Sequence, residues 1–88
     1  MHIEVTDADV FASAIDDNAP CPIQMAMQRV FGRRVLVGPE QAIVGWGESE
    51  AVRYDLPRNA KKFIRRFDGD ESVAGFEFEL EEPSDADE

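Results

Sequence analysis

Apolar and polar positions alternate along this chain in two distinct rhythms. Leu56, Ala60, Phe63, Ile64 and Phe67 recur at helical spacing and share one stripe roughly 100° wide, while Arg58, Lys61, Lys62, Arg65 and Arg66 fall on the other side. The spacing predicts a helix that starts at Pro57, whose missing N–H is harmless in a first turn, and stops at Asp68-Gly69. A second helix is predicted over 21–32, with Pro22 near its start, Gly32 past its end, and Ile23, Ala26, Met27 and Val30 as its core stripe, Phe31 at the edge. Thr6-Asp7-Ala8-Asp9 has the form of a capping box ahead of a short helix, whose apolar side would be Val10, Phe11, Ala14 and Ile15. A polar loop, 16–20, ends it.

The other rhythm has period two. Ile3 and Val5 alternate with His2 and Glu4, and Phe76, Phe78 and Leu80 alternate with Glu77, Glu79 and Glu81. Three further strands are predicted at 34–37, 42–46 and 51–55, separated by the turn residues 38–41 and 47–50. Connections that short imply an antiparallel meander. The order strand, helix, helix, three strands, helix, strand is that of an α+β fold: an antiparallel sheet, meander plus terminal strands, with about three helices packed mainly on one face. Residues 1–82 read as a single domain, with 83–88 as an acidic tail expected to be disordered.

Charge changes this picture more than size does. The chain has 88 residues and 43% apolar content, enough for one modest core. Nineteen acidic against nine basic residues give a net charge of −10, which disfavours generic nucleic-acid binding and attraction to anionic membrane. Five of the nine bases nevertheless lie between Arg58 and Arg66, and seven of the nineteen acids lie from Glu77 to Glu88. A lopsided molecule is expected, its net charge suited to a basic protein partner. With Cys21 the only cysteine and no basic-then-apolar start, a cytoplasmic protein without a membrane span is the reading.

Candidate chemistry is sparse. Cys21 precedes a helix start, where a thiolate is favoured, yet it stands between two prolines with the lone histidine, His2, remote in sequence; a capping or packing residue is the reading. Cys21 and His2 alone do not make a metal set, and Gly45-Trp46-Gly47 has the wrong spacing for a phosphate loop. Asp7 and Asp9 are explained by helix capping, and Glu77, Glu79 and Glu81 by a solvated strand face. No catalytic, cofactor or metal residue is assigned, and a non-enzymatic protein is expected. The candidate interaction residues are Arg58, Lys61, Lys62, Arg65 and Arg66, with Trp46 and the off-stripe Met25 as apolar contacts. Core packing is the preferred role for Trp46, with an exposed contact residue the alternative.

Two blocks of the chain resemble a group of small uncharacterised proteins of tailed bacteriophages, chiefly actinobacteriophages. Ile3-Glu4-Val5-Thr6-Asp7 followed by Cys21-Pro22-Ile23-Gln24-Met25-Ala26 is similar to their early "VT" strand and Cys-Pro-Ile-Ala helix start, with Gln24 where alanine is more usual. Leu56-Pro57 through Phe63-Ile64-Arg65-Arg66-Phe67-Asp68 to Phe76-Glu77-Phe78 is similar to their "LP…F(I/V)..FD…F.F" ending. The resemblance implies a phage-like setting, in a bacterial host cytoplasm, and no mechanism. Three functions compete: an accessory module that binds a host or phage protein, nucleic-acid binding through 58–66, and an acidic DNA mimic that occupies a DNA-binding protein. A weak homo-oligomer through the charged faces is a further partner class.

Overall fold

The computed structural model describes residues 1–15, 20–69 and 71–81; positions 16–19 of the expected 16–20 loop and the tail at 83–88 lie outside them. In order, the elements are β1 (His2–Val5), α1 (Asp7–Ala14), α2 (Pro22–Phe31), β2 (Val35–Val37), β3 (Gln41–Val44), β4 (Val52–Asp55), α3 (Arg58–Asp68) and β5 (Phe76–Glu79). The α+β class and the antiparallel meander β2-β3-β4 are as the pattern predicts.

The terminal strands do not extend that meander. They pair with each other, Ile3 opposite Phe78 and Val5 opposite Phe76, as a separate two-stranded antiparallel sheet. Side chains explain the separation. The outer edge of β5 meets α3, whose Asn59 Nδ2 donates to Glu77 O at 3.1 Å, so a helix side chain stands where a third strand of this sheet would pair. The β2 edge is similarly met by α2, where Gln28 Oε1 accepts from Val35 N at 3.3 Å. Backbone polar groups thus find partners without one continuous sheet.

One core joins both sheets to the helices: Ile3, Val5, Phe78 and Leu80 from the terminal pair, Ile23, Ala26 and Met27 from α2, Val35, Ala42 and Val44 from the meander, and Leu56, Ala60, Phe63 and Ile64 around α3. Phe63 stacks on Phe76 with centroids 4.6 Å apart and on Phe67 at 6.2 Å, and Phe76 stacks on Phe78 at 5.6 Å. The helix stripe and the final strand therefore share a core as expected.

Two helix faces depart from their apolar pattern. On α1, Phe11 and Ile15 are 66% and 68% exposed and Ala14 is exposed, while Asp9 and Ser13 are buried. Of the expected apolar side only Val10 packs on the core. The polar residues win because each has a fixed partner. Ser13 Oγ donates to Pro20 O at 2.7 Å, and Asp9 accepts from Thr6 N at 3.0 Å and from both terminal nitrogens of Arg29 at 3.0 and 2.9 Å. Arg29 also donates to Glu4 O at 3.2 Å, so the Asp9–Arg29 pair ties α1, α2 and β1. On α2, Val30 is exposed, because the last turn is seated by Phe31 against Tyr54, ring centroids 5.5 Å apart.

A close backbone approach completes the frame. Gly75 N–H donates to Asp7 Oδ1 at 2.7 Å, and a Cβ on Gly75 would lie 2.5 Å from Val5 O and 2.8 Å from Asp7 N. Only glycine lets the entry to β5 lie this near the β1–α1 junction.

Candidate functional site

The α3 helix opens on Pro57, with no side-chain cap and no acid in its first turn, and carries Arg65 and Arg66 in its last turn. Cations at a helix C-terminus are favoured by the backbone dipole. Gly69 closes it through its N–H to Arg65 O at 3.1 Å, and Glu71 N–H follows to Arg66 O at 3.0 Å. With Ala60, Phe63 and Ile64 buried, the helix is held by its apolar side and its basic side is turned outward.

Three of the five cations border two different neighbours. Lys61, half-buried, leans toward a notch formed with Glu40, Gln41 and Asp55 of the meander. Lys62 and Arg66 line the opposite flank, along a groove whose other wall is the segment 72–76. Arg58 and Arg65 lie exposed between them. Among the described residues one ion pair involves this set, Arg66 Nε to Glu71 Oε1 at 3.4 Å.

Trp46 and Met25 do not join this surface. Trp46 is 45% exposed, which corrects the core-packing role preferred for it. It rides on the turn after β3, where Gly45 and Gly47 both adopt φ +83. Gly45 N donates to Arg34 O at 2.6 Å, and the Arg33 guanidinium lies over Gly45 on its way to Glu48 Oε1 at 2.9 Å. Met25 is half-buried between the first two helices, with its sulfur 3.8 Å from Ser13 Oγ.

Cys21 is the N-cap of α2: its sulfur accepts from Gln24 N at 3.4 Å. Burial pushes its thiol up, outweighing the hydrogen bonds that favour the thiolate. A neutral cap is what this geometry provides.

An acidic surface lies on the outer face of the terminal sheet, and its histidine was the feature that sequence reasoning passed over. Glu4 and Glu77 are cross-strand partners, as are His2 and Glu79, and all four are exposed. His2 Nε2 lies 2.7 Å from Glu77 Oε1 and Nδ1 2.6 Å from Glu79 Oε2. The Glu79 hydrogen bond, with the charge of both glutamates, raises the imidazole above its ordinary value. Strand alternation was the available signal, since it puts His2 on the glutamate side of β1. Phe76 and Phe78 stack on the Phe63 side of the terminal sheet, so Glu77 and Glu79 face away from that stack, and Glu79 with Glu81 also borders Leu56 and Pro57 at the start of α3.

Among the described residues no group of three or more His, Cys, Asp or Glu side chains is placed to hold a metal ion, and no helix is long and apolar enough to cross a membrane. No protein-family model, curated protein or solved structure matches the chain.

Proposed function

We propose that this protein is a non-enzymatic interaction module, an accessory factor of the phage type its motifs resemble, that receives an acidic surface of another protein on the basic side of α3. One observation carries the reading: five cations stand on the outward side of a helix whose other side is locked in the core, and among the described residues only Arg66 is paired. A rigid, charged helix face costs little to order on binding and steers an oppositely charged partner. The net charge of −10 repels nucleic acid as a whole, whereas a protein partner needs to match only the local patch.

The test is capture from a bacterial host lysate by immobilised protein, comparing wild type with Arg65→Glu/Arg66→Glu, at low and high salt and with or without nuclease. A stoichiometric protein retained by wild type, released by salt and absent from the double variant supports the reading. Identical capture by both proteins rejects it, and nuclease-sensitive capture transfers the role to nucleic acid.

A further inference from the structure

We infer that the segment recognised beside α3 is an acidic peptide bearing one large apolar side chain, and that this side chain seats in the groove between α3 and residues 72–76. The inference rests on the reading of α3 as the docking face and adds what the docked chain must contain.

The groove is lined by Asn59, Lys62, Phe63 and Arg66 on the helix side, facing Val73 and Phe76. Phe63 is buried, Val73 and Phe76 are half-buried, and the Phe63–Phe76 stack forms an apolar floor. The volume of about 270 Å³ is below the roughly 300–1,000 Å³ of small-molecule sites. It suits one inserted side chain better than a cofactor. Above the floor the exposed charged groups are Lys62 and Arg66, beside Asn59, Ser72 and Ala74. Asn59 has already given its amide to Glu77 O, and Arg66 meets Glu71 through Nε. Apart from the Ser72 hydroxyl, the unused polar capacity of the rim is therefore cationic, and an occupant complementary to both parts is apolar at its centre and acidic on either side.

The groove is also held ready. The segment opposite α3 is fastened just before it by Glu71 N–H to Arg66 O and near its end by Gly75 N–H to Asp7 Oδ1. A site fixed in advance loses less freedom when filled. A nucleobase fits worse. Stacking needs an open ring face, and the Phe63 and Phe76 faces are turned on each other.

Two fluorescein-labelled peptides, Asp-Glu-Phe-Glu-Asp and Asp-Glu-Ala-Glu-Asp, test this by fluorescence polarisation at low salt, with labelled oligo(dT) as a third probe. The phenylalanine peptide should bind wild type about tenfold more tightly than the alanine peptide, the advantage of burying one aromatic side chain. Ala74→Trp, at an exposed position on the groove wall, should erase that advantage and leave weak, salt-dependent binding of both peptides. In wild type, amide shifts on adding the phenylalanine peptide should centre on Phe63, Val73 and Phe76, a readout that needs no variant. Equal binding of the two peptides, no binding of either, shifts elsewhere, or tighter binding of oligo(dT) each overturns the inference. If Ala74→Trp still captures the lysate protein that Arg65→Glu/Arg66→Glu loses, the groove is refuted and the basic face stands.

Discussion

Removing the Asp9 carboxylate tests whether a polar residue organises the first third of the chain. Its side chain is 9% exposed and the Arg29 side chain 52%. Asp9→Ala deletes the acceptor for Thr6 N–H, a hydrogen bond to a charged group, with a net contribution of about 1.5 kcal/mol. It also deletes the two-pronged contact with Arg29, which is discounted to about 1 kcal/mol because half of the arginine is in water. Thr6 Oγ1 still caps Asp9 N, so that half of the capping box survives. The loss of about 2–3 kcal/mol is a large share of the roughly 5–15 kcal/mol that holds a domain together. At about 4–8 °C per kcal/mol for a chain near this size, the melting temperature followed by circular dichroism at pH 7 should fall on the order of 10–20 °C. Asp9→Asn keeps an acceptor for Thr6 and should lose less. The Arg29 guanidinium, followed by the bonds from Thr6, holds the Asp9 carboxyl below the usual carboxylate range. A depressed folded-state value means that the stabilisation is complete above the ordinary value near 3.8 and is lost as pH falls through the lowered one. The gap between wild type and Asp9→Asn should accordingly close in acid. A melting point within about 3 °C of wild type for Asp9→Ala would refute the account.

Four other substitutions or titrations check separate parts of the frame. Gly75→Ala must push apart the Val5 carbonyl and the Asp7 amide, neither of which is a flexible side chain, and should cost about 1–3 kcal/mol in urea unfolding; an unchanged midpoint would mean the approach is looser than described. Phe63→Ala removes a buried ring stacked on Phe67 and Phe76 and should cost about 3–5 kcal/mol, and a midpoint that barely moves would displace α3 from the core. Cys21, its thiol raised by burial, should react with iodoacetamide at pH 7 more slowly than a free thiol of similar size; rapid alkylation would contradict the neutral cap. The His2 imidazole should titrate above 6.5 by NMR and drop toward that value in Glu79→Gln, with its attraction to the glutamates present at lower pH and lost as pH rises through the folded value.

Elements were legible wherever side chains of one kind occupied one face. The α3 helix is the clearest case: its stripe and its cations both read directly, and its extent came within a residue or two. The α1 face was not legible, because the burial of Asp9 depends on Arg29, twenty residues away, and no periodicity within 7–15 carries that partner. The split into two sheets was hidden for a similar reason, since it turns on Asn59 and Gln28 meeting strand edges across the fold. For the candidate surface, the five cations were visible from spacing alone. That Lys62 and Arg66 border an apolar groove while Lys61 leans toward the meander depends on where the 72–76 segment passes. That course follows from Gly75, which in the sequence is an ordinary glycine before a strand.

The pairing of β1 with β5 has a kinetic side. The meander closes over short turns, but Met1 N–H reaches Leu80 O across a separation of 79 residues. Loop-closure entropy grows only as about (3/2)RT ln n, so the ladder is affordable once formed, yet it gains nothing until the intervening chain has collapsed. The largest sequence separations lie in this ladder. Folding should therefore build the meander and the α1–α2 pair first and zip the terminal strands late. Because Phe76 belongs to that last ladder, the floor of the groove beside α3 is completed at the end of folding, and a nascent chain still lacking β5 has the cations of α3 without the pocket.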